Sequence, residues 1–310
     1  MVDVRMGDEA RVIAIDIGGG TTKLALVNRR GAIRSWQSFP TAAASGPEFL
    51  ERVVTAARHL QIGAGVPVAG VSAAVAGFVS AEGTLEFNAN LPWLEHLPIA
   101  ALLAEQLGLR VHIDADSNAA CAAEYIFGAG RGACRFLCLT GGTGLGVGMM
   151  VQGRLLRIAH GCMGDAGHIV VSPQGPACTC GGRGCAEALL STATLARRYA
   201  EVSESADASF RSLVEDAQAG NPHARELIEE AGYWLGIAAA SLASIFLPDR
   251  IAVAGGLSQA GDVLLRSAQA SFRSHGGKFP LARATLERSS AGEHATLLGA
   301  AACFFHPEIL

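Results

Sequence analysis

The sequence predicts an α/β protein of two lobes, each a mixed sheet flanked by helices. Three observations predict it. Apolar strand-like runs alternate with segments of helical spacing along the chain. At 310 residues the chain is long enough for two compact lobes, since single cores stop growing at ~250–300 residues. Two similar glycine-cornered strand pairs, RVIAIDIGGGTTKLALVNRRG and CRFLCLTGGTGLGVGMMVQGRLL, stand far apart, as expected of a structural duplication rather than a sequence repeat.

The elements follow in order. RVIAIDI and TTKLALV read as strands around a glycine corner, the second ending in a turn at Asn28–Gly31. Residues 47–60 have helical spacing, and VAGVSAAVAGFVS is a buried strand. Residues 97–108 form an amphipathic helix before the strand LRVHID. SNAACAAEYIFG is a further helix, with Asp116 or Ser117 placed to cap it. After the second glycine-cornered pair and a cysteine-rich loop come helices over 192–202, 209–219 and 223–246, the last two separated by Gly220 and Asn221. RIAVAGGLS is a buried strand and ATLLGAAACFF a closing helix. The first lobe is expected to take residues 1–115 plus about 294–310, the second residues 116–293. No low-complexity linker separates them, so the lobes are expected to pack across a cleft.

Composition excludes several classes. Half the residues are hydrophobic, 17% are charged, and the formal net charge is −4 with no block of lysine or arginine. A nucleic-acid partner needs a basic face, so none is expected. Asp3, Asp8 and Glu9 precede any apolar run, unlike a signal peptide. LGIAAASLASIFL is shorter than the roughly 20 apolar residues of a membrane span. These features point to a cytoplasmic protein with no membrane partner. Its eight cysteines are then thiols, and Cys121, Cys134, Cys138, Cys162 and Cys303 read as small buried core residues.

The glycine corners are candidate phosphate sites. In DIGGGTTK, Gly18, Gly19 and Gly20 let backbone amides approach an anion, with Thr21, Thr22 and Lys23 as further donors. Asp16 is placed to hold Mg²⁺ through water. A tight hairpin would use the same glycines, and a strand follows where a P-loop would start a helix. Gly142, Thr143 and Gly144 in TGGTGLGVG repeat the pattern, and Gly255 and Gly256 would let a base or ribose lie against backbone. Together these corners suggest the ATPase architecture shared by hexokinase, actin and the 70-kilodalton heat-shock proteins, with ribonuclease H-like lobes.

The most specific local signal is GDAGHIVVSPQGPACTCGGRGCAE. Cys178, Cys180 and Cys185 fall within eight positions, and His168 lies ten residues before the first of them. Three thiolates and one imidazole make a tetrahedral Zn²⁺ set. At this point the sequence resembles the ROK family of sugar kinases and repressors, whose signature runs GExGH, a spacer, then CxCGxxGCxE. Here it reads GDAGH, IVVSPQGPA, CTCGGRGCAE. DIGGGTTK, NLPW, DSNAACAAE, GGTGLGVG and AVAGGLS extend the resemblance over essentially the whole chain.

The resemblance implies ATP-dependent phosphorylation of a hexose hydroxyl, most commonly the 6-OH, with Asp116 as general base. It implies sugar contacts from Asp165, His168 and Glu187, with Gly77 and Asn90 as further neighbours, and a structural Zn²⁺ beside ATP and Mg²⁺. Family members are often dimers or larger, so a homo-oligomer is expected. Three positions depart from the pattern: Ala115 stands where the family has Asn before the catalytic Asp, Asp165 where it has Glu, and Gly20 where it has Thr. They leave the sugar open between a glucose-like hexose and an N-acetylhexosamine, and keep a catalytically weak sugar sensor as an alternative. Only 15 residues precede Asp16, fewer than the helix-turn-helix of a ROK repressor needs, so that reading is disfavoured.

Overall fold

The computed structural model describes residues 9–88, 91–203, 205, 207–277 and 284–310. Along the chain, β1 (Arg11–Ile17), β2 (Thr21–Asn28) and β3 (Ile33–Pro40) precede α1 (Gly46–Ile62) and β4 (Val68–Val75). The short strands β5 (Phe78–Val79) and β6 (Leu85–Phe87) lead to α2 (Ile99–Leu107), β7 (Val111–Ala115) and α3 (Asp116–Phe127). Then come β8 (Arg135–Gly141), β9 (Leu145–Val151), β10 (Arg154–Leu155), α4 (Ala186–Leu190), α5 (Thr192–Ser203), α6 (Phe210–Gln218) and α7 (Pro222–Phe246). β11 (Arg250–Gly255), α8 (Gly261–His275), β12 (Thr285–Arg288) and α9 (Ala295–Phe305) complete the order.

The chain divides into two compact units. The first holds the residues up to Phe127 with 153–164 and 294–310; the second holds 128–152 and 165–293. The division thus falls after α3 rather than after residue 115. α3 packs on α9, and Gly299 lies so close to the Ala119 carbonyl that no side chain would fit there. The segment 153–164 likewise belongs with the first unit.

In the first unit the strand order is β3-β2-β1-β4-β7. β1 and β2 form the antiparallel hairpin expected around the first glycine corner, and β4 and β7 continue the sheet in parallel. β1 is apolar on both faces because both are covered. Ile13, Ile15 and Ile17 meet Phe49, Leu50 and Val53 of α1, whereas Val12 and Ala14 meet Leu297, Ala301 and Phe304 of α9. VAGVSAAVAGFVS is not one strand: it breaks at Gly77, whose φ of 107° and close approach to the Phe87 carbonyl suit only glycine. β3 carries little apolar alternation and Trp36 stays exposed, which is why the sequence pattern does not reveal this edge strand.

The second unit repeats the plan. Its strands run β9-β8-β11-β12, an antiparallel hairpin followed by parallel neighbours. α7 and α8 pack closely, since Gly232 and Gly236 of α7 meet α8 at its Leu264 and Ala268 carbonyls. The sequence pattern does not reveal α8, whose buried positions, Leu264, Ala268, Ser271 and Phe272, include two small residues. Of the five scattered cysteines, Cys121, Cys138, Cys162 and Cys303 are buried; Cys134 is exposed, because it lies in the loop before β8 rather than in a strand. Among the described residues no helix is long and apolar enough to cross a membrane.

Candidate active site

In the first unit, sheet register gathers the acidic residues at the C-terminal ends of the strands. Asp16 on β1 lies opposite Lys23 on one side and Ala74 on the other, and Ala74 in turn pairs with Asp114 on β7. Asp116 follows as the first residue of α3, so it opens the helix instead of standing before it. Burial pushes the Asp16 carboxyl up to about 6; the Lys23 charge opposes this and the neighbouring Asp116 charge adds to it. Burial also raises Asp116, partly offset by its own amide and that of Ser117.

The first glycine corner is tied from within the same hairpin and the end of β3. Thr41 donates through Oγ1 to the Gly18 carbonyl at 2.7 Å and through its amide to the Gly20 carbonyl at 3.1 Å. Thr22 lies 2.8 Å from Thr41 Oγ1 and is fully buried, so its hydroxyl shapes the corner instead of facing a ligand as the sequence suggested. Gly20 and Thr21 are exposed, and Gly19 and Lys23 are half-buried.

Asp114 is already engaged. Arg157 donates from Nη2 to Oδ2 at 2.5 Å and from Nη1 to Oδ1 at 3.1 Å, and Asn118 Nδ2 donates to Oδ1 at 2.8 Å. Burial would raise this carboxyl, but His112 facing it at 3.6 Å, the hydrogen bonds from Arg157 and Asn118 and the Arg157 charge outweigh it and hold it at about 2. It is therefore a permanently paired anion, not a base. Arg157 carries no sequence signal of this role, since its partner lies 43 positions away.

In the second unit the glycine corner is held by helices. Thr192, at the start of α5, donates its amide and its hydroxyl to the Gly142 carbonyl at 2.8 and 2.9 Å. The Gly142 amide donates to the Gly144 carbonyl at 2.8 Å. Thr143 at the tip is exposed. Gly255, with φ of 74°, approaches the Gly141 backbone, and a Cβ on Gly256 would lie 3.4 Å from the Thr192 methyl. Glu187 in the first turn of α4 accepts the Leu145 amide at 3.0 Å, and its Oε2 lies 2.5 Å from where a Cβ on Gly144 would be. Gly167 presses against the Leu145 carbonyl. The cysteine loop and the second glycine corner thus touch directly, a contact that spacing in sequence does not reveal.

The loop gathers its four ligand candidates. His168 Nδ1 is 3.4 Å from Cys178 Sγ, Cys180 Sγ is 3.7 Å from Cys185 Sγ, and one ligand atom from each of the four residues lies within 4.8 Å of the others. Tetrahedral Zn–S bonds of ~2.3 Å place sulfurs ~3.8 Å apart, so the donor set fits a zinc ion. Gly184, with φ of 72°, passes against the Ser172 carbonyl and allows the tight wrap. Burial and the neighbouring thiols push Cys185 up to about 12, a crowding that a central cation would relieve. The other imidazole nitrogen, Nε2, faces Asp165 Oδ2 at 3.6 Å and Glu187 Oε1 at 3.9 Å. Asp165, His168 and Glu187 therefore cluster as the sequence suggested. Gly77 lies between β4 and β5 in the first unit, Ala115 is buried beside Asp116, and Asn90 falls outside the described residues.

These two constellations sit in a fold with known relatives. The ROK family model matches residues 12–306. The chain belongs to the ROK family. It is 33% identical over 272 residues to a glucokinase of Thermotoga maritima, covering 82% of this chain and 84% of the relative. It is 33% identical over 221 residues to an N-acetylmannosamine kinase of Escherichia coli, covering 71% and 74%. Among solved structures, a ROK family glucokinase from Streptomyces griseus in complex with glucose and AMPPNP superposes with a TM-score of 0.85 at 31% identity, covering 94% of this chain and 98% of that one. ROK membership places the two units in the actin-like ATPase fold class.

Proposed function

We propose that this protein is an ATP-dependent sugar kinase that phosphorylates a hexose hydroxyl, the 6-OH of a glucose-like sugar. The observation that carries the reading is Asp116: a half-buried carboxylate opening a helix, near a second carboxylate, Asp16, that borders an open glycine corner. Burial raises its proton affinity, which suits a general base. In the proposed step the Asp116 carboxylate takes the proton of the sugar hydroxyl as its oxygen bonds to the γ-phosphorus. The bond from that phosphorus to the β–γ bridging oxygen breaks, and ADP leaves with the electron pair.

The other assignments follow from chemistry. The amides of Gly19, Gly20 and Thr21 and the Lys23 ammonium bind phosphate oxygens in the first unit, and those of Thr143 and Gly144 do so in the second; the Gly18 and Gly142 amides close the two turns, donating to the Thr21 and Gly144 carbonyls, and Gly255 and Gly256 lie against the nucleoside. Mg²⁺, held through water by Asp16, would neutralise phosphate charge. His168, Cys178, Cys180 and Cys185 would hold Zn²⁺, and four protein ligands leave no open position, so its part is structural. Asp165, Glu187 and the Nε2 of His168 bind sugar hydroxyls, and Gly77 and Asn90 are assigned as neighbours of the sugar. Similarity to the Thermotoga glucokinase favours glucose; similarity to the N-acetylmannosamine kinase supports that sugar as the second reading. A homodimer or larger homo-oligomer belongs to the same proposal.

The test is ADP release over a panel of glucose, mannose, fructose, allose, N-acetylglucosamine and N-acetylmannosamine, with Asp116→Ala as control. Turnover on glucose that falls by a factor of at least ~10² in the variant is expected. Absence of turnover on every sugar, with ATP still bound, would overturn the kinase reading in favour of a sensor.

A further inference from the structure

We infer that Arg157 is a positioning residue for Asp116: by locking both oxygens of Asp114, its guanidinium fixes the strand-to-helix turn on which the base is carried. The inference rests on the kinase reading for the role of Asp116, but its geometry stands independently.

Three features of the turn support it. Asp114 Oδ1 accepts the Ala115 amide at 2.8 Å and Asn118 Nδ2 at 2.8 Å, so one carboxylate grips the backbone just before Asp116 and a side chain just after it. Arg157 supplies the countercharge in a two-pronged pair that a point charge cannot reproduce. The Gly161 carbonyl accepts from both Arg157 Nη1 at 2.6 Å and Asn118 Nδ2 at 2.8 Å, closing a ring of hydrogen bonds around the turn. Both of Asn118's partners are acceptors, which fixes the orientation of its amide.

The far side of the ring is also held. Gly161, at φ of 73°, approaches the Val79 carbonyl, and Cys162 ties back to Ile158 and Ala159 through backbone hydrogen bonds. His160 pairs with Glu86 of β6 at 2.5 Å and packs edge-on against Phe78 of β5. Segment 157–162 is thereby anchored to β5 and β6, and Arg157 transmits that anchorage to the turn.

Two other roles for the cluster fit less well. His112, Asp114 and Cys303 lie close enough to share a metal ion, but Arg157 already occupies both carboxylate oxygens with a positive charge. A purely stabilising ion pair is a weak account, because the desolvation cost of buried pairs commonly offsets their attraction. What the bidentate geometry does supply is direction.

The test compares Arg157→Ala, Arg157→Lys and Asp114→Asn with the parent, measuring kcat, KM for sugar and ATP, and thermal unfolding. A base displaced by about 1 Å costs about 10²-fold. We expect Arg157→Ala to lose kcat on that order with sugar KM changed by less than about threefold, and Arg157→Lys to recover part of the loss. Guanidinium at low millimolar concentration should restore part of the kcat of Arg157→Ala, while ammonium at equal ionic strength should not. Wild-type kcat in a folded Arg157→Ala, or a loss that guanidinium leaves unchanged and that tracks KM, would overturn the inference. Should Arg157→Ala fail to fold, the milder Arg157→Lys and Asp114→Asn decide it: kcat loss at unchanged sugar KM supports it, and wild-type kcat in both overturns it. An inert parent enzyme would instead sink the kinase reading itself.

Discussion

The two units build the same hairpin corner and fasten it in different ways. In the first, Thr41 at the end of β3 holds the Gly18 and Gly20 carbonyls, so the corner is anchored by its own sheet. In the second, the anchors are Thr192 of α5 and Glu187 of α4, and both helices follow directly on the cysteine loop. The first corner also lies beside the half-buried carboxylate of Asp16, whereas the contact at the second is a single carboxylate on a backbone amide. A duplicated backbone plan therefore does not imply duplicated dependencies. The first corner depends on charge balance, the second on the integrity of a loop.

The largest effect that would sharpen this contrast is loss of the loop. Cys180→Ser, or removal of metal by a chelator, should release Glu187 and Gly167 from Leu145 and raise the KM for ATP by about tenfold or more. Elemental analysis should find about one zinc per parent chain and none in the variant. An unchanged KM in a zinc-free, folded protein would separate the loop from the corner.

The next effect tests charge in the first unit. Asp16 has its carboxyl raised in the folded state to about 6 from 3.8, so the folded protein binds more protons than the unfolded chain in that window. Its contribution to stability is present below about pH 4 and is lost as pH rises through 6, to a cost of about 3 kcal/mol. Asp16→Asn should thus stabilise the nucleotide-free protein by up to about 3 kcal/mol at pH 8 and hardly at all at pH 4, while abolishing turnover. Urea unfolding at the two pH values measures this. Asp114 has the opposite sign: held at about 2, it stabilises above about pH 4 and loses that contribution as pH falls towards 2.

The smallest effect concerns one hydroxyl. Thr192→Val leaves the Gly142 carbonyl only the Thr192 amide, a loss of about 1 kcal/mol, and should raise the ATP KM about fivefold. An effect on sugar KM alone would detach Thr192 from the phosphate corner.

Much of this was legible in the sequence for a physical reason. Glycine corners, the His168–Cys185 loop and the apolar strands are local patterns, and each states its geometry within a few residues. β3 and α8 were not legible, because an exposed edge strand and a helix packed on glycines bury few large apolar residues. Thr22 was misread because its hydroxyl answers to Thr41, 19 positions on. Arg157 and Thr192 gave no signal at all, since their partners Asp114 and Gly142 lie 43 and 50 positions away. What sequence conceals here is long-range polar pairing.

The packing of α9 has a consequence for how the chain is made. Its Leu297, Ala301 and Phe304 cover the small-residue face of β1, and Gly299 seats it on α3. During synthesis that face stays bare until residues 295–305 leave the ribosome, although β1 emerged long before. The second unit lies wholly within residues 128–293 and meets no such delay. The part of the molecule carrying Asp116 is thus begun first and completed last, and its apolar sheet face is open to association until α9 covers it.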